Sequence, residues 1–280
     1  MAPGISAWED VQRERRVWAA LPPHPNVVRV FEAIADPDSP KMYIVMELLS
    51  GGNILARDAS SPSPTLDEDT GRVVRPEGSP GSTLSEADVL RRVQGALKGL
   101  SHLHACGIVH GDVNPRNLLL TASGDVKVAD LSACLQAFRG SDAVDRTTGA
   151  PAFTAPEALR GGSWSGYAAD IWSLGVTIYL LLFNCVPFWG ASVLDVYSAI
   201  ERPRSGLPRR GLDAPSDGDA EPAEQERGSR EKETADESGA VEQAGWSREL
   251  LGLVEAMLEP DPAKRPRCED LLARAALCAS

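Results

Sequence analysis

Near the middle of the chain stands His110-Gly111-Asp112-Val113-Asn114-Pro115-Arg116-Asn117, and Asp130 follows thirteen residues after Asn117, at the end of an apolar run. A lone aspartate in a loop says little, because loop carboxylates commonly cap backbone amides. Two carboxylates and an amide in fixed order say more. They are hard oxygen donors of the kind that hold Mg²⁺, and a loop carboxylate within reach of a hydroxyl can take its proton. The set suits metal-assisted transfer to a hydroxyl.

The elements that must position these residues are legible around them. Ser85 is an N-cap with Asp88 three residues on, a variant of the capping box. Val89, Val93, Leu97, Leu100 and His104 then mark one helical face, and Gly107 can close the helix. Residues 118–121 and 126–129, joined by Ala-Ser-Gly-Asp, predict a short hairpin directly after the loop. The apolar run at 171–183 is about thirteen residues long, too short to span a bilayer and suited to a core helix. Further helices are expected at 193–200, 249–258 and 269–277. Upstream, residues 11–21 have helix-forming composition and stop at Pro22-Pro23. Residues 27–34 and 41–49 predict an antiparallel pair around Asp-Pro-Asp-Ser-Pro.

Two stretches have too little to bury. Residues 57–82, rich in Ser, Pro, Gly and acid, read as a flexible insertion. Residues 203–245 read as an acidic disordered one, and within 213–242 eleven acidic residues face three basic ones. That segment's −8 is two-thirds of the chain's net charge, 28 − 40 = −12. The acidic balance argues against nucleic acid or an anionic membrane as partner, though it says little about the folded body. The 280 residues, 42% hydrophobic, are enough for a large core. Five cysteines without a C-x-x-C pair, and four histidines without metal spacing, point to a reducing compartment and no zinc site. The first residues carry no basic start followed by an apolar run. A soluble, cytoplasmic protein is expected.

The order Asp112, Asn117, Asp130 resembles that of the protein kinases, whose catalytic loop reads H-R-D-L-K-P-x-N and whose metal motif reads D-F-G. More of the chain agrees. Residues 149–159, "GAPAFTAPEAL", resemble the end of an activation segment, and 170–176, "DIWSLGV", resemble the helix whose Asp170 holds the catalytic loop. Arg265 in "DPAKRP" stands where the family pairs an arginine with the glutamate at 157. "HPNVV" and "MYIVMELLSGG" resemble the later strands of a small lobe and its hinge. The resemblance is to serine/threonine enzymes. The activation segment and "PFWG" look closest to the calcium/calmodulin-dependent protein kinase kinases, which implies a protein substrate, with another kinase as one candidate. Their calmodulin-binding tail has no counterpart here, so calmodulin is not an expected partner.

The resemblance implies an α+β, two-lobe fold with a truncated small lobe and a mainly helical large lobe. Residues 1–49 would be the partial small lobe, with 83–202 and 246–280 the large one. It implies ATP and Mg²⁺ as cofactors, Asp112 as base, and Asn117 and Asp130 as metal ligands. Asn114 takes the position of a lysine that contacts the transferred phosphate. Met46 would be the gatekeeper, Glu47 to Leu49 the adenine-facing backbone, Leu119 the floor under the ring, and Glu14 the glutamate of the small-lobe helix. Trp18, Val30, Leu131 and His110 would stack as a spine anchored at Asp170.

The departures cluster. The family's arginine, lysine, threonine and glycine are here Gly111, Asn114, Ala150 and Ser132. The first lysine is Lys41, and neither the Gly-rich loop nor the V-A-I-K strand is present in the sequence, which predicts very weak or absent Mg-ATP binding. Two functions stay open: a serine/threonine kinase, or an impaired pseudokinase that binds protein partners. Thr147 and Thr148 are candidate phosphorylation sites.

Overall fold

A computed structural model describes residues 7–35, 42–57, 63–67, 70–75, 84–136, 141–146, 149–202, 206–207 and 245–278. Thr147, Thr148 and nearly all of the acidic segment at 203–245 lie outside them. The architecture is the expected α+β, two-lobe one.

The small lobe is a helix and a ribbon. Helix α1, Ala7–Ala20, begins four residues earlier than its composition suggested and stops before Pro22. Strands β1, Val30–Ala35, and β2, Met42–Met46, pair antiparallel with an irregularity between Val30 and Glu32. The first strand starts later than residue 27 because Val27 and its neighbours have another partner. Val28 N donates to Val128 O (2.8 Å) and Val128 N donates to Asn26 O (2.8 Å), so this stretch joins the large lobe instead.

Residues 57–82, expected to be flexible throughout, are ordered in part. Strands β3, Thr65–Leu66, and β4, Val73–Val74, form a hairpin. Its backbone is stitched to the segment after the long apolar helix: Val73 N donates to Asn184 O (2.8 Å) and Val186 N to Gly71 O (2.9 Å). Leu66 and Val73 also pack against the core. Those contacts offset the ordering cost that composition alone suggested could not be met.

Helix α2, Glu86–Ala105, opens on Ser85, whose hydroxyl accepts from Asp88 N (3.1 Å). Val89, Val93, Leu97 and Leu100 are fully buried, as their spacing predicts. Strand β5, Ile108–Val109, leads into the loop, which is followed by β6, Leu118–Leu120, and β7, Val126–Val128, in the expected hairpin. Then come β8, Leu135–Gln136, paired with β5, and β9, Ala143–Val144. A short helix, α3, Pro156–Leu159, precedes β10, Trp164–Ser165, which pairs with β9.

Helix α4, Gly166–Phe183, is longer than the apolar run because Ser165 caps it six residues upstream. Among the described residues it is the one helix long and apolar enough to cross a membrane, but 78% of it is buried inside the protein. Trp172, Ile178 and Tyr179 are fully buried, so its apolar surface faces protein. Helix α5, Val193–Glu201, carries a capping box at Ser192 and Asp195. Helix α6, Arg248–Met257, packs on α4, and α7, Cys268–Cys278, packs on α2.

Candidate active site

Asp170, 2% exposed on α4, fixes the loop from below. Its Oδ2 accepts from His110 N (2.8 Å) and lies 2.8 Å from His104 Nε2; its Oδ1 accepts from Gly111 N (2.9 Å). Gly111 turns with φ at 77°, a conformation that costs a glycine little. His110 is fully buried, with Nδ1 accepting from Asp112 N (3.2 Å) and Nε2 facing Ala129 O at 3.0 Å. Both ring nitrogens are spent on backbone. His110 is structural.

Asp112 is held by two amides. Asn114 Nδ2 donates to its Oδ1 (2.8 Å), and Asn117 Nδ2 donates to its Oδ2 (2.9 Å). Both amides also donate to the Asp112 carbonyl, at 3.2 and 2.8 Å. The carboxylate therefore has one oriented donor per oxygen and further lone pairs open. Asn117 O accepts from Ala129 N (2.9 Å), which places Asp130 one residue beyond a backbone pair with the loop. Asp130 itself is exposed and takes φ at 61°, with Oδ1 accepting from Ser132 N (3.0 Å). Asp112, Asn114 and Asn117 thus come together, and Asp130 follows on the backbone next to them.

Asn114 does more than the lysine position suggested. It is 2% exposed, and its Oδ1 accepts from Arg116 N (2.9 Å), capping a 3₁₀ turn at Pro115–Asn117. The signal for that role was in the sequence: Asn followed by Pro is an N-cap with proline at the first helical position. With both amide hydrogens on Asp112, the side chain faces that carboxylate.

The hinge residues lie apart from this cluster in sequence but lead onto it. After β2, Gly51 N donates to Leu120 O (2.9 Å) and Ile54 N to Leu118 O (2.8 Å), so the chain leaving the hinge runs beside β6. Leu119, half-buried between buried Leu118 and Leu120, faces the other way from the core. Met46 is 45% exposed and Leu49 half-buried. Glu47 Oε1 accepts from Lys127 Nζ (2.6 Å) and from Arg29 N (2.7 Å). Burial alone would raise the Glu47 pKa, but these two donors outweigh it and hold the carboxyl below its ordinary value. Sequence reasoning missed the Lys127 partner, since the pair is 80 residues apart.

Glu14, 8% exposed on α1, accepts from Trp18 Nε1 at 3.3 Å. Of the expected spine, Leu131 and His110 are fully buried while Trp18 and Val30 are half-buried and line a cavity of about 550 Å³ with Glu47 and Lys127. The anchor of the activation segment is as expected. Arg265 Nη1 and Nη2 reach Glu157 Oε1 and Oε2 at 2.6 and 3.0 Å, with both side chains buried.

The donor set fits a hard divalent cation. Asn117 spends its amide hydrogens on Asp112, which leaves its oxygen as the open atom, and Asp130 Oδ2 makes no hydrogen bond among the described residues. No group of three His, Cys, Asp or Glu forms a metal cluster among the described residues. A cation here would rest on one amide oxygen, one carboxylate and oxygens brought by its own ligand, the pattern usual for Mg²⁺.

Comparison with known proteins agrees with the geometry. The chain is 36% identical over 201 residues to the serine/threonine-protein kinase GRIK1 of Arabidopsis thaliana, covering 71% of this chain and 45% of that protein. It is 37% identical over 195 residues to a calcium/calmodulin-dependent protein kinase kinase of Caenorhabditis elegans, covering 68% and 32%. The chain thus spans less than half the length of these relatives. The protein kinase domain profile matches residues 4–275. With nearly its whole length matched, the chain belongs to the protein kinase family.

Proposed function

We propose that this chain is the catalytic domain of a serine/threonine protein kinase that acts on a protein hydroxyl, and that its substrates include other kinases. The observation that carries the reading is the Asp112 carboxylate, held by one amide on each oxygen beside Asn117 and Asp130. Asp112 accepts the proton of the attacking hydroxyl. Asn117 and Asp130 are the residues that would hold Mg²⁺, and bound Mg-ATP supplies the phosphoryl group and neutralises its charge. Met46, Glu47 and Leu49 flank the adenine side, with Leu119 beneath. Asp170 keeps the loop backbone in place, and the Glu157–Arg265 pair does the same for the activation segment. The kinase-as-substrate assignment is supported by the likeness to the nematode calcium/calmodulin-dependent protein kinase kinase.

One observation favours a second reading, a catalytically impaired scaffold. Asn114 turns its amide hydrogens to Asp112, so it offers no cation to a transferred phosphate. By comparison with loss of a single transition-state donor, that costs about 10²–10³-fold in rate. The test is phosphate transfer from ATP to a generic protein substrate, with Asp112→Asn as control. We expect slow transfer that the substitution abolishes. Equal signal from both proteins would exclude catalysis at this site and leave the scaffold.

A further inference from the structure

A second charged cavity lies on the large lobe, away from the loop. It encloses about 200 Å³ and is lined by Arg57, Arg91 and Arg92 together with Thr121 and Ser123 of the β6–β7 turn. Asp88 is the one carboxylate among the described residues lining it. The three guanidiniums come from separate places in the chain, the segment after the hinge and two successive positions of α2. Helical geometry points adjacent residues apart, so Arg91 and Arg92 reach the same space from different sides.

Arg92 is the buried member, 5% exposed. Its Nη1 donates to the carbonyls of Ile54 and Ala56, and among the described residues no carboxylate hydrogen-bonds to it. Its Nε is buried with no hydrogen-bond partner among the described residues. Arg75 adds to the charge nearby, donating to Leu55 O (3.2 Å), so three consecutive carbonyls of this turn are held by guanidiniums. Burial first, and then the neighbouring Arg91, Arg57 and Arg75, push Arg92 down to about 10 against the pull of Asp88. Burying a cation away from a bonded anion is costly, and an anion bound beside it would offset that cost.

Arg91 is held in position. Its Nη1 donates to Ser123 O (3.1 Å), and it lies 3.7 Å from Asp88, too far for a strong pair. The turn has glycine at 124 with φ at 82°, where a Cβ would come within 2.8 Å of Arg91 Nη2. A side chain there would displace the guanidinium. The cavity is smaller than the ~300 Å³ at which pockets for drug-sized ligands begin, which suits a small ion better than a nucleotide. A tetrahedral dianion is such an ion, and arginine forks match its oxygens.

We infer that Arg57, Arg91 and Arg92 form a binding site for a phosphate dianion, either free or carried as a small monoester. An anion bound there ties α2, the β6–β7 turn and the segment after the hinge to one another, in a chain whose overall charge would otherwise repel it. The site does not depend on whether Asp112 is catalytic.

The experiment measures the thermal unfolding midpoint of the whole chain without Mg²⁺. Sodium phosphate and phosphoserine are titrated in separate arms, against sodium chloride of equal ionic strength. We expect a saturable rise in midpoint for the wild type, and a loss of about tenfold or more in apparent affinity for Arg57→Gln/Arg91→Gln. Both substituted residues are at least partly exposed, so the fold should survive. If the double variant does not fold, Arg91→Gln alone is to show the same loss. A response to phosphate alone identifies the free ion, and a response to phosphoserine alone identifies a monoester. No rise beyond the chloride control, or an equal rise in wild type and variant, overturns the assignment.

Discussion

The β1–β2 ribbon and helix α4 are built from the same kinds of residue and treat them in opposite ways. In the ribbon, the register pairs Ile34 with Tyr43 and Glu32 with Val45, which puts Ile34, Tyr43 and Val45 on one face. They are 48, 62 and 43% exposed. In α4, Trp172, Ile178 and Tyr179 are 0% exposed. The difference lies in the neighbours rather than in the residues. A two-stranded ribbon is one thin layer, and its apolar face stays wet until another layer covers it. The helix is surrounded by α2, α6 and the loop segments it supports.

Three measurements would break or sharpen this contrast. The largest effect is expected in the helical lobe, from Glu157→Ala. It strands the Arg265 charge in a buried place and should cost about 3–5 kcal/mol in denaturant unfolding. A cost below about 1 kcal/mol would mean that the anchor is not closed in solution. Next comes a paired comparison. Ile178→Ala should cost about 2–5 kcal/mol, whereas Tyr43→Thr on the ribbon should stay within about 0.5 kcal/mol. Equal losses would show that the ribbon face is covered after all.

The smallest effect concerns the seam between the two regions. His24 stacks on His102 with ring centroids 4.6 Å apart, and its Nδ1 accepts from Asn26 N (3.1 Å). His102 Nε2 lies 2.8 Å from Pro22 O. Burial, then His102, Lys127 and Lys98, lower the His24 pKa below its ordinary 6.5. Below that value the unfolded chain takes up the proton first. The contribution to stability is therefore full above about pH 6.5 and drains away as the pH falls through the lowered value. The unfolding midpoint should drop on acidification, and His24→Gln should flatten part of the drop. Superimposable pH profiles would remove His24 from the account.

What could be read beforehand followed from local rules. The cap at Ser85, the apolar face of α2 and the loop-to-hairpin order all depend on residues a few positions apart, and the structure has them where the spacing put them. The loop placement of Asp112 and Asn117, and the position of Asp130 just past a strand, were legible for the same reason, helped by the family resemblance. The β3–β4 hairpin was not. Its strands are two residues each, and its supports at Asn184 and Val186 lie more than a hundred residues away. The orientation of Asn114 was half-legible, since the Asn-Pro cap signal was present but its meaning for Asp112 needed coordinates. The arginine cavity was illegible, because Arg57 and Arg92 are brought together only by the way α2 packs under the hinge segment.

Asp170 has one more implication. A single carboxylate on the central helix touches the loop at two successive amides and the end of α2 through His104. Any substitution there must therefore alter folding and loop shape at once. The chain has no means of relaxing one while holding the other. A lineage that ceased to use the loop for chemistry would still be obliged to keep this residue, simply to remain folded. Its retention is thus no witness to activity, and that question passes to Asp112.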